Sequence, residues 1–489
     1  MHSNSLSLLR VVLLTAMCLS LLSSDADPED RGGMRGERGS RDNRVFLTET
    51  PRHPGSVILG RPTATSITAS VMWDSPIEAV LAWGTGADTL AANGPRVRLT
   101  PWEPREIELT GLSPDTRYFY ELREVSTGRR LLPSGRPGSF HTARKPGQNF
   151  TFDIQADSHL DGGCSLELYR QTLANELSDK PDFLIDLGDT FMTDKHPNRE
   201  SAEAQYFSQR YNFSLVAHSV PLFLALGNHD GEGPDRHGDT SSQSLGVWAQ
   251  RMRVRFFPNP VPNGFYTGNA LRHPALGLLG DYYAWEWGDA LFVVLDPYWS
   301  SLPTRRGQEP WNLTLGDAQY DWLARTLRGS KVHFKFVFIH QLTSGYHPQG
   351  RGGTEAAAYH EWGGRDLDGK YALNLHRPNW KAPVHKLLAD NKVTAVFHGH
   401  DHFYARQELD GVIYQLVPQP GHRNSKSHHA EEYDYEKGQF LPNSGYLRVE
   451  VKPEGARVEY VRSVLSENNQ KDSRNANIAA SYTINSTRQ

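Results

Sequence analysis

The stretch VPLFLALGNHD, from Val220 to Asp230, is an apolar run that ends at Gly227 and is followed by Asn228, His229 and Asp230. An apolar run of this length, bounded by Gly, predicts a buried strand that delivers polar side chains at its end. The four residues GNHD are more specific than a turn alone requires. They are therefore a candidate functional motif.

Four other short motifs occur along the chain, and each of them stands at the end of an apolar run. They are a D-x-H at 157–159, a GD at 188–189, a lone His at 340 and a GHxH at 399–402. Taken alone, D-x-H and GD are often turns, and a lone His is most often a core residue. Together with GNHD, in this order and with no member missing, they resemble the five motifs of the calcineurin-like metallophosphoesterases. Within that superfamily the chain resembles the two-domain secreted enzymes similar to purple acid phosphatases.

The resemblance implies a dinuclear metal centre. Two neighbouring cations repel each other, so this chemistry needs a bridging carboxylate, and imidazole and carboxylate ligands that leave room for water and a phosphoryl oxygen. Carried over position by position, the first metal would be bound by Asp157, His159 and His402, the bridge would be Asp189, and the second metal would be bound by Asn228, His340 and His400.

The same resemblance implies hydrolysis of a phosphate ester by a metal-activated hydroxide that attacks phosphorus in line. His229 would protonate or stabilise the departing alkoxide, and Asp230 would orient that imidazole through its other nitrogen. A purely structural use of the metals is the alternative, and the presence of His229 argues against it.

Two positions depart from the purple acid phosphatases. Those enzymes carry a Tyr three residues after the GD aspartate, where this chain has Met192, and they lack a His in the first motif, where this chain has His159. A purple ferric centre is therefore not expected. Zn²⁺, Mn²⁺ or Fe²⁺ fits the nitrogen and carboxylate donors about equally.

Two different sequence patterns divide the chain into predicted domains. Residues 45–144 contain short alternating segments such as SITASVMW, which predict an all-β sandwich. LSPDTRYFYEL followed by SFHTAR resembles a fibronectin type III-like domain, for which a packing or spacer role is favoured over substrate recognition. In residues 149–465, strands that alternate with helical segments predict an α/β (α+β) catalytic domain, and the resemblance implies a four-layer αββα metallophosphoesterase sandwich. Residues 466–489 are predicted to be a C-terminal tail.

The N-terminus predicts export. Arg10 precedes an apolar run at 11–22 that is too short to span a bilayer, and small residues at 24–26 suit a signal peptidase. We expect a signal peptide at 1–26, a disordered basic linker at 27–44, and a periplasmic or secreted protein. Apart from Cys18 in that peptide the chain has only Cys164, so no intrachain disulfide is expected.

Composition narrows the class of protein and of partner. The chain has 489 residues, of which 38% are hydrophobic and 22% charged, which is typical of a globular protein of two or three domains. Its net charge of −4 gives no reason to expect nucleic acid as a partner, and no nucleic-acid-binding domain is indicated. No later apolar run is long enough for a transmembrane segment in the mature protein. The expected partner is a phosphate-ester substrate.

Two insertions, at 231–281 and 345–380, are predicted to carry substrate choice, because loops at the carboxyl edge of such a sheet carry specificity. The basic side chains that could grip a phosphate oxygen are His347, Arg351, Arg365 and, beyond the insertions, His422. For each of them, ordinary surface charge is the alternative.

The two-domain resemblance slightly favours a phosphomonoesterase. A phosphodiesterase is the enzyme alternative, because His159 is a feature shared with diesterase branches of the superfamily. The alternative from a different class is an extracellular binding protein on a phosphatase scaffold that has lost catalysis.

Overall fold

The computed structural model describes residues 45–132, 135–233, 241–302, 309–344, 350–468 and 474–486. These residues belong to one compact unit. The predicted signal peptide at 1–26 and the predicted linker at 27–44 lie outside the described residues. Cys164 is a buried, free thiol.

The N-terminal region is a sandwich of two antiparallel sheets, as its alternating sequence predicts. Its strands are β1 Gly55–Gly60, β2 Ile67–Trp73, β3 Ile77–Gly84, β4 Ala92–Asn93, β5 Val97–Leu99, β6 Arg105–Leu109, β7 Arg117–Glu124 and β8 Gly138–His141. One sheet has the order β1-β2-β6, and the other has the order β4-β3-β7-β8 with β5 paired to β3. The Ser113 backbone N–H donates to the Tyr118 hydroxyl at 2.9 Å, a turn contact found in many sandwich domains.

The predicted catalytic region contains two larger sheets. Its strands are β9 Phe150–Gln155, β10 Phe183–Asp186, β11 Leu222–Leu224, β12 Thr267–Gly268, β13 Arg272–His273, β14 Gly277–Leu278, β15 Tyr283–Trp287, β16 Ala290–Val294, β17 Phe334–Ile339, β18 Ala395–His398, β19 Tyr404–Leu409, β20 Val412–Leu416, β21 Gln439–Leu441, β22 Gly445–Lys452, β23 Gly455–Arg462 and β24 Ile478–Asn485. The six-stranded sheet has the order β11-β10-β9-β22-β23-β24, and the eight-stranded sheet has the order β12-β15-β16-β17-β18-β20-β19-β21.

The two larger sheets pack face to face through an aromatic core. Alternate residues of β9 and β17 point into this core, because successive side chains of a strand lie on opposite faces. The ring of Phe152 lies 5.0 Å from that of Phe292 and 5.6 Å from that of Phe336, measured between centroids. This contact between strands of different sheets fixes their relative position.

Helices cover the outer faces of both sheets. They are α1 Leu166–Asp179, α2 Arg199–Ala217, α3 Leu245–Phe256, α4 Gly316–Gly329, α5 His360–Gly363, α6 Leu373–His376 and α7 Val384–Asp390, with 3-10 turns at Thr193–Lys195, Pro310–Asn312, Ala356–Ala358 and Ser466–Asn468. The first three helices pack on the outer face of β10 and β11, and α4 and α7 pack on that of β16 and β17. The predicted four-layer αββα arrangement is thus confirmed.

The prediction of a C-terminal tail at 466–489 is wrong for β24. This strand pairs antiparallel with β23 and forms the edge of the six-stranded sheet. Its sequence, IAASYTIN, alternates in burial, as expected for a half-buried strand. The Tyr482 hydroxyl donates to Gln415 Oε1 at 2.9 Å, which ties the strand to the other sheet.

Candidate metal centre

The side chains predicted as metal ligands stand at the carboxyl ends of strands in both central sheets. Asp157, Asp189 and Asn228 follow β9, β10 and β11, which are parallel neighbours. His340 and His400 follow β17 and β18, which are parallel neighbours in the other sheet. Parallel strands end at the same edge of a sheet, so each group of side chains converges.

These side chains form two donor groups that share one carboxylate. The first contains Asp157, His159, Asp189 and His402, and the second contains Asp189, His340 and His400. Within each group the candidate ligand atoms lie within 4.8 Å of one another. The amide oxygen of Asn228 joins the second group at 3.0 Å from His340 Nε2. The structure therefore brings together all the side chains that the motifs single out as ligands.

The donors fit cations. His159 Nε2 is buried and has no hydrogen-bond partner within the described ranges. His340 Nδ1 lies 2.9 Å from the Leu187 carbonyl oxygen, which fixes the proton on Nδ1 and leaves Nε2 facing Asp189 at 3.4 Å. Metal-binding imidazoles are commonly oriented in this way. Burial lowers the pKa of His340, but the carboxylates of Asp189 and Asp157 outweigh burial and raise this pKa to about 9. The site thus attracts positive charge.

The backbone is strained at most of the predicted ligands. Left-handed φ angles occur at five of them, namely Asp157 (57°), His159 (49°), Asp189 (54°), His400 (77°) and His402 (63°). Such angles are uncommon for residues other than Gly, and each costs about 1–3 kcal/mol. Strain of this kind concentrates where a site holds side chains in a required geometry.

Two glycines of the motifs are required because the predicted ligands approach their Cα atoms closely. A Cβ on Gly227 would lie 2.0 Å from the backbone nitrogen of Asp189 and 2.3 Å from its Oδ1. A Cβ on Gly399 would lie 2.7 Å from Asp157 Oδ2. Any side chain at either position would displace a predicted ligand, which explains why the motifs begin with Gly.

His229 lies beside the shared carboxylate, and its partner is Asp194. The His229 backbone N–H donates to Asp189 Oδ1 at 2.8 Å. The imidazole Nδ1 lies 3.0 Å and 3.3 Å from the two carboxylate oxygens of Asp194. This contact holds Nδ1–H and leaves Nε2 available to another group.

The prediction that Asp230 orients His229 is wrong. The buried Asp230 carboxylate accepts hydrogen bonds from four backbone N–H groups, those of Asp189, Thr190, Phe191 and Gly227, at 2.8–3.2 Å. It therefore clamps the loop after β10 to the loop after β11. Adjacency in sequence suggested the pairing with His229, but the left-handed turn into the 3-10 segment at Thr193–Lys195 brings Asp194 to the imidazole instead.

Asp161 was also missed from the sequence. Its Oδ2 lies 3.4 Å from His159 Nδ1, and its Oδ1 accepts from the Gly163 backbone N–H at 3.0 Å. It thus orients His159 as Asp194 orients His229. In the sequence, Asp161 is marked only by its position two residues after His159. An acidic residue so close to a His is common in loops, so this position does not by itself indicate a role.

The predicted substrate residues differ in their surroundings. His347 lies outside the described residues. The Arg351 guanidinium donates to the His400 carbonyl oxygen at 2.6 Å and pairs with Asp401 at 3.3 Å, so it supports the GHDH loop. Arg365 is exposed and donates to the Gly369 carbonyl oxygen of its own loop at 2.8 Å. His422 pairs with Cys164 in an isolated β-bridge.

A family model described as calcineurin-like phosphoesterase matches residues 150–404, more than half of the chain. The comparison with curated proteins found no match. A solved structure titled "Structure of PhoD" is similar at a TM-score of 0.62 and 15% identity, covering 90% of this chain and 92% of that one. A purple acid phosphatase, PPD1, from yellow lupin (Lupinus luteus) seeds is similar at a TM-score of 0.56 and 17% identity, covering 88% and 74%. At these identities the two structures show a shared fold. None of the helices in the described ranges has the length and hydropathy of a membrane span.

Proposed function

Because the chain belongs to the calcineurin-like phosphoesterase family and is a metal-dependent phosphoester hydrolase, we propose that it is an exported phosphomonoesterase with a dinuclear metal centre. The observation that carries the proposal is the pair of donor groups that share Asp189, with His229 beside them. A single metal site would need only one of these groups, whereas the Asp189 carboxylate belongs to both.

In this proposal the first cation would be held by Asp157, His159 and His402, the second would be held by Asn228, His340 and His400, and Asp189 would serve both sites. Bound there, the cations would supply Lewis acidity and lower the pKa of water enough to make a nucleophile at neutral pH. The protein contributes a preformed donor geometry. It is held by the strained backbone turns, by the hydrogen bond at His340 Nδ1, and by the Asp161 carboxylate 3.4 Å from His159 Nδ1. Zn²⁺, Mn²⁺ and Fe²⁺ remain the candidate metals, since the ligands are carboxylate, amide and imidazole groups.

His229 is the proposed proton donor to the leaving group. Its Nδ1–H is held by Asp194, so the protonated imidazole presents Nε2–H, which can be transferred to a departing alkoxide. The two carboxylate oxygens of Asp194 hold the ring in one orientation. A positioned general acid of this type contributes roughly 10²–10⁴-fold to the rate.

The monoester preference rests on the two-domain resemblance, and a phosphodiesterase is the enzyme alternative. The test compares p-nitrophenyl phosphate with bis(p-nitrophenyl) phosphate, using purified protein loaded with Zn²⁺, Mn²⁺ or Fe²⁺ in turn. A higher kcat/KM for the monoester is expected. The reverse ratio would make the protein a diesterase, and activity on neither ester would refute both proposals.

The alternative is a non-catalytic binding protein on the same scaffold, which would not need both donor groups to be complete. Metal analysis of the purified protein distinguishes this alternative, because it predicts poor occupancy of one or both sites. Export is tested separately by N-terminal sequencing of the mature protein, which we expect to begin after residue 26.

A further inference from the structure

The N-terminal sandwich and the catalytic region share a hydrophobic core. Every residue of β1 and β2 is buried. Val57 and Leu59 face the interior of the sandwich, whereas Ile58 and Met72 belong to the core that contains the buried faces of α1, α2 and α3. An antiparallel sheet at the surface of a separate domain would leave one face in water. Strands β1 and β2 are therefore internal to the protein, whereas β6 of the same sheet keeps exposed residues.

Arg210 of α2 crosses this boundary. Its side chain is fully buried, and its Nε donates to Ser56 Oγ at 2.9 Å. One terminal nitrogen donates to the Ser70 carbonyl oxygen at 2.8 Å, and the other donates to Ser70 Oγ and to the Phe256 carbonyl oxygen. A buried guanidinium is tolerated only when its donors are satisfied. Here the sandwich supplies most of the acceptors, from both β1 and β2.

The same helix holds the loops of the first donor group. Gln209 Nε2 donates at 2.8 Å to both Ser158 Oγ and the Thr190 carbonyl oxygen. Gln205 Nε2 donates to the Thr190 carbonyl oxygen at 2.8 Å and to the His159 carbonyl oxygen. These acceptors adjoin or belong to the predicted ligands Asp157, His159 and Asp189 in the chain. Gln209 is also the immediate neighbour of Arg210.

We propose that the N-terminal sandwich is a positioning element of the metal centre, which acts through Arg210 and α2 on the loops that carry His159 and Asp189. The inference rests on the proposed function, because it assigns the sandwich a role at that centre. The sandwich fixes the orientation of α2 and its distance from the sheet. Gln205 and Gln209 of α2 then hold the loops in place, because the left-handed φ angles of these loops need external support. On this reasoning the sandwich acts on metal affinity as well as on stability.

The experiment measures Mn²⁺ affinity by titration calorimetry on the metal-stripped full chain, at a temperature where each variant is folded. Arg210→Met removes the guanidinium and should weaken binding by about tenfold, the lower end of the effect of groups that support metal ligands. Ser56→Ala removes one of the four acceptors of Arg210 and leaves the other three in place. This variant should fold with a lowered melting temperature, and it should weaken Mn²⁺ binding by about threefold, as expected for one hydrogen bond. Co²⁺ absorption of the same variants should shift, because ligand geometry changes.

The matched control is Tyr266→Phe. The Tyr266 hydroxyl donates to the Pro62 carbonyl oxygen of the sandwich without involving α2, so its loss should lower the melting temperature and leave Mn²⁺ affinity and the Co²⁺ spectrum unchanged. Wild-type Mn²⁺ affinity in Ser56→Ala and Arg210→Met, whatever their melting temperatures, would overturn the inference. If Arg210→Met does not fold, Ser56→Ala decides. Failure of the proposed function is distinguishable, because it appears as wild-type protein that binds metal and hydrolyses no ester.

Discussion

Replacing Asp194 with Asn tests which carboxylate serves His229. Asn keeps the shape of the side chain and one oxygen acceptor for Nδ1–H but removes the negative charge. The imidazolium form of His229 then loses its charged partner at 3.0 Å. The proposed general acid becomes less well oriented, while the predicted metal ligands are untouched.

The size of the effect follows from that contact. A hydrogen bond to a charged group contributes about 1.5–3 kcal/mol, and each 1.36 kcal/mol corresponds to tenfold in rate. About a quarter of the Asp194 side chain is exposed, 26%, so solvent screening places the expected effect at the lower end. We expect Asp194→Asn to lower kcat/KM by about tenfold, and Asp194→Ala by up to about 100-fold.

The assay compares two substrates of different leaving group. p-Nitrophenolate departs without much help from an acid, whereas an alkoxide from an alkyl phosphate needs a proton. The loss in Asp194→Asn should therefore be larger for the alkyl phosphate, and His229→Ala should show the same dependence with both metals retained. Asp230→Asn should instead lower metal content and stability, since Asp230 holds four backbone N–H groups.

The reasoning would be refuted if Asp194→Asn hydrolysed the alkyl phosphate as well as the wild type while Asp230→Asn showed the dependence on leaving group. In that case the sequence-based pairing of Asp230 with His229 would be restored. Metal analysis of each variant is the control that separates loss of the acid from loss of the centre.

Three further predictions concern the metal centre and the buried charges. Gly227→Ala should abolish metal binding, because its Cβ would lie 2.0 Å from the Asp189 nitrogen; an alanine variant with normal metal content would show that the loop can move aside. Removal of metal by chelation should lower the free energy of unfolding by about 2.7 kcal/mol per site when free metal had been 100-fold above Kd, as measured by calorimetry with and without chelator; equal stability would argue against occupied sites. Asp153 and Glu176 are fully buried, and their carboxylate oxygens have no hydrogen-bond partner among the described atoms, so burial raises the pKa of both well above the ordinary range. Their contribution to stability is present below the ordinary pKa of about 4 and is lost as pH rises through the raised folded-state pKa. Chemical denaturation of Asp153→Asn and Glu176→Gln should therefore show a free energy of unfolding that exceeds the wild-type value by an amount that grows from pH 4 to pH 8. An excess independent of pH would contradict this.

The primary sequence by itself predicted the candidate donor side chains. Each motif is local: an apolar run predicts a strand, Gly ends it, and the next polar residues stand at the sheet edge. That logic places Asp157, Asp189, Asn228, His340 and His400 at strand ends without information on any contact between them. The four-layer arrangement also followed, because the family resemblance rests on the same motifs.

Only the tertiary structure decided which groups support those side chains. These supporting contacts join residues 35 or more positions apart or depend on a left-handed turn. They are the pairing of His229 with Asp194, the hydrogen bonds accepted by Asp230, and the link from Ser56 through Arg210 to the ligand loops. The edge strand β24 is of the same kind, since an alternating segment can be a strand only if a partner edge is available. A pattern in one segment carries no information about the segment it will meet, so such contacts are set by packing of the whole chain.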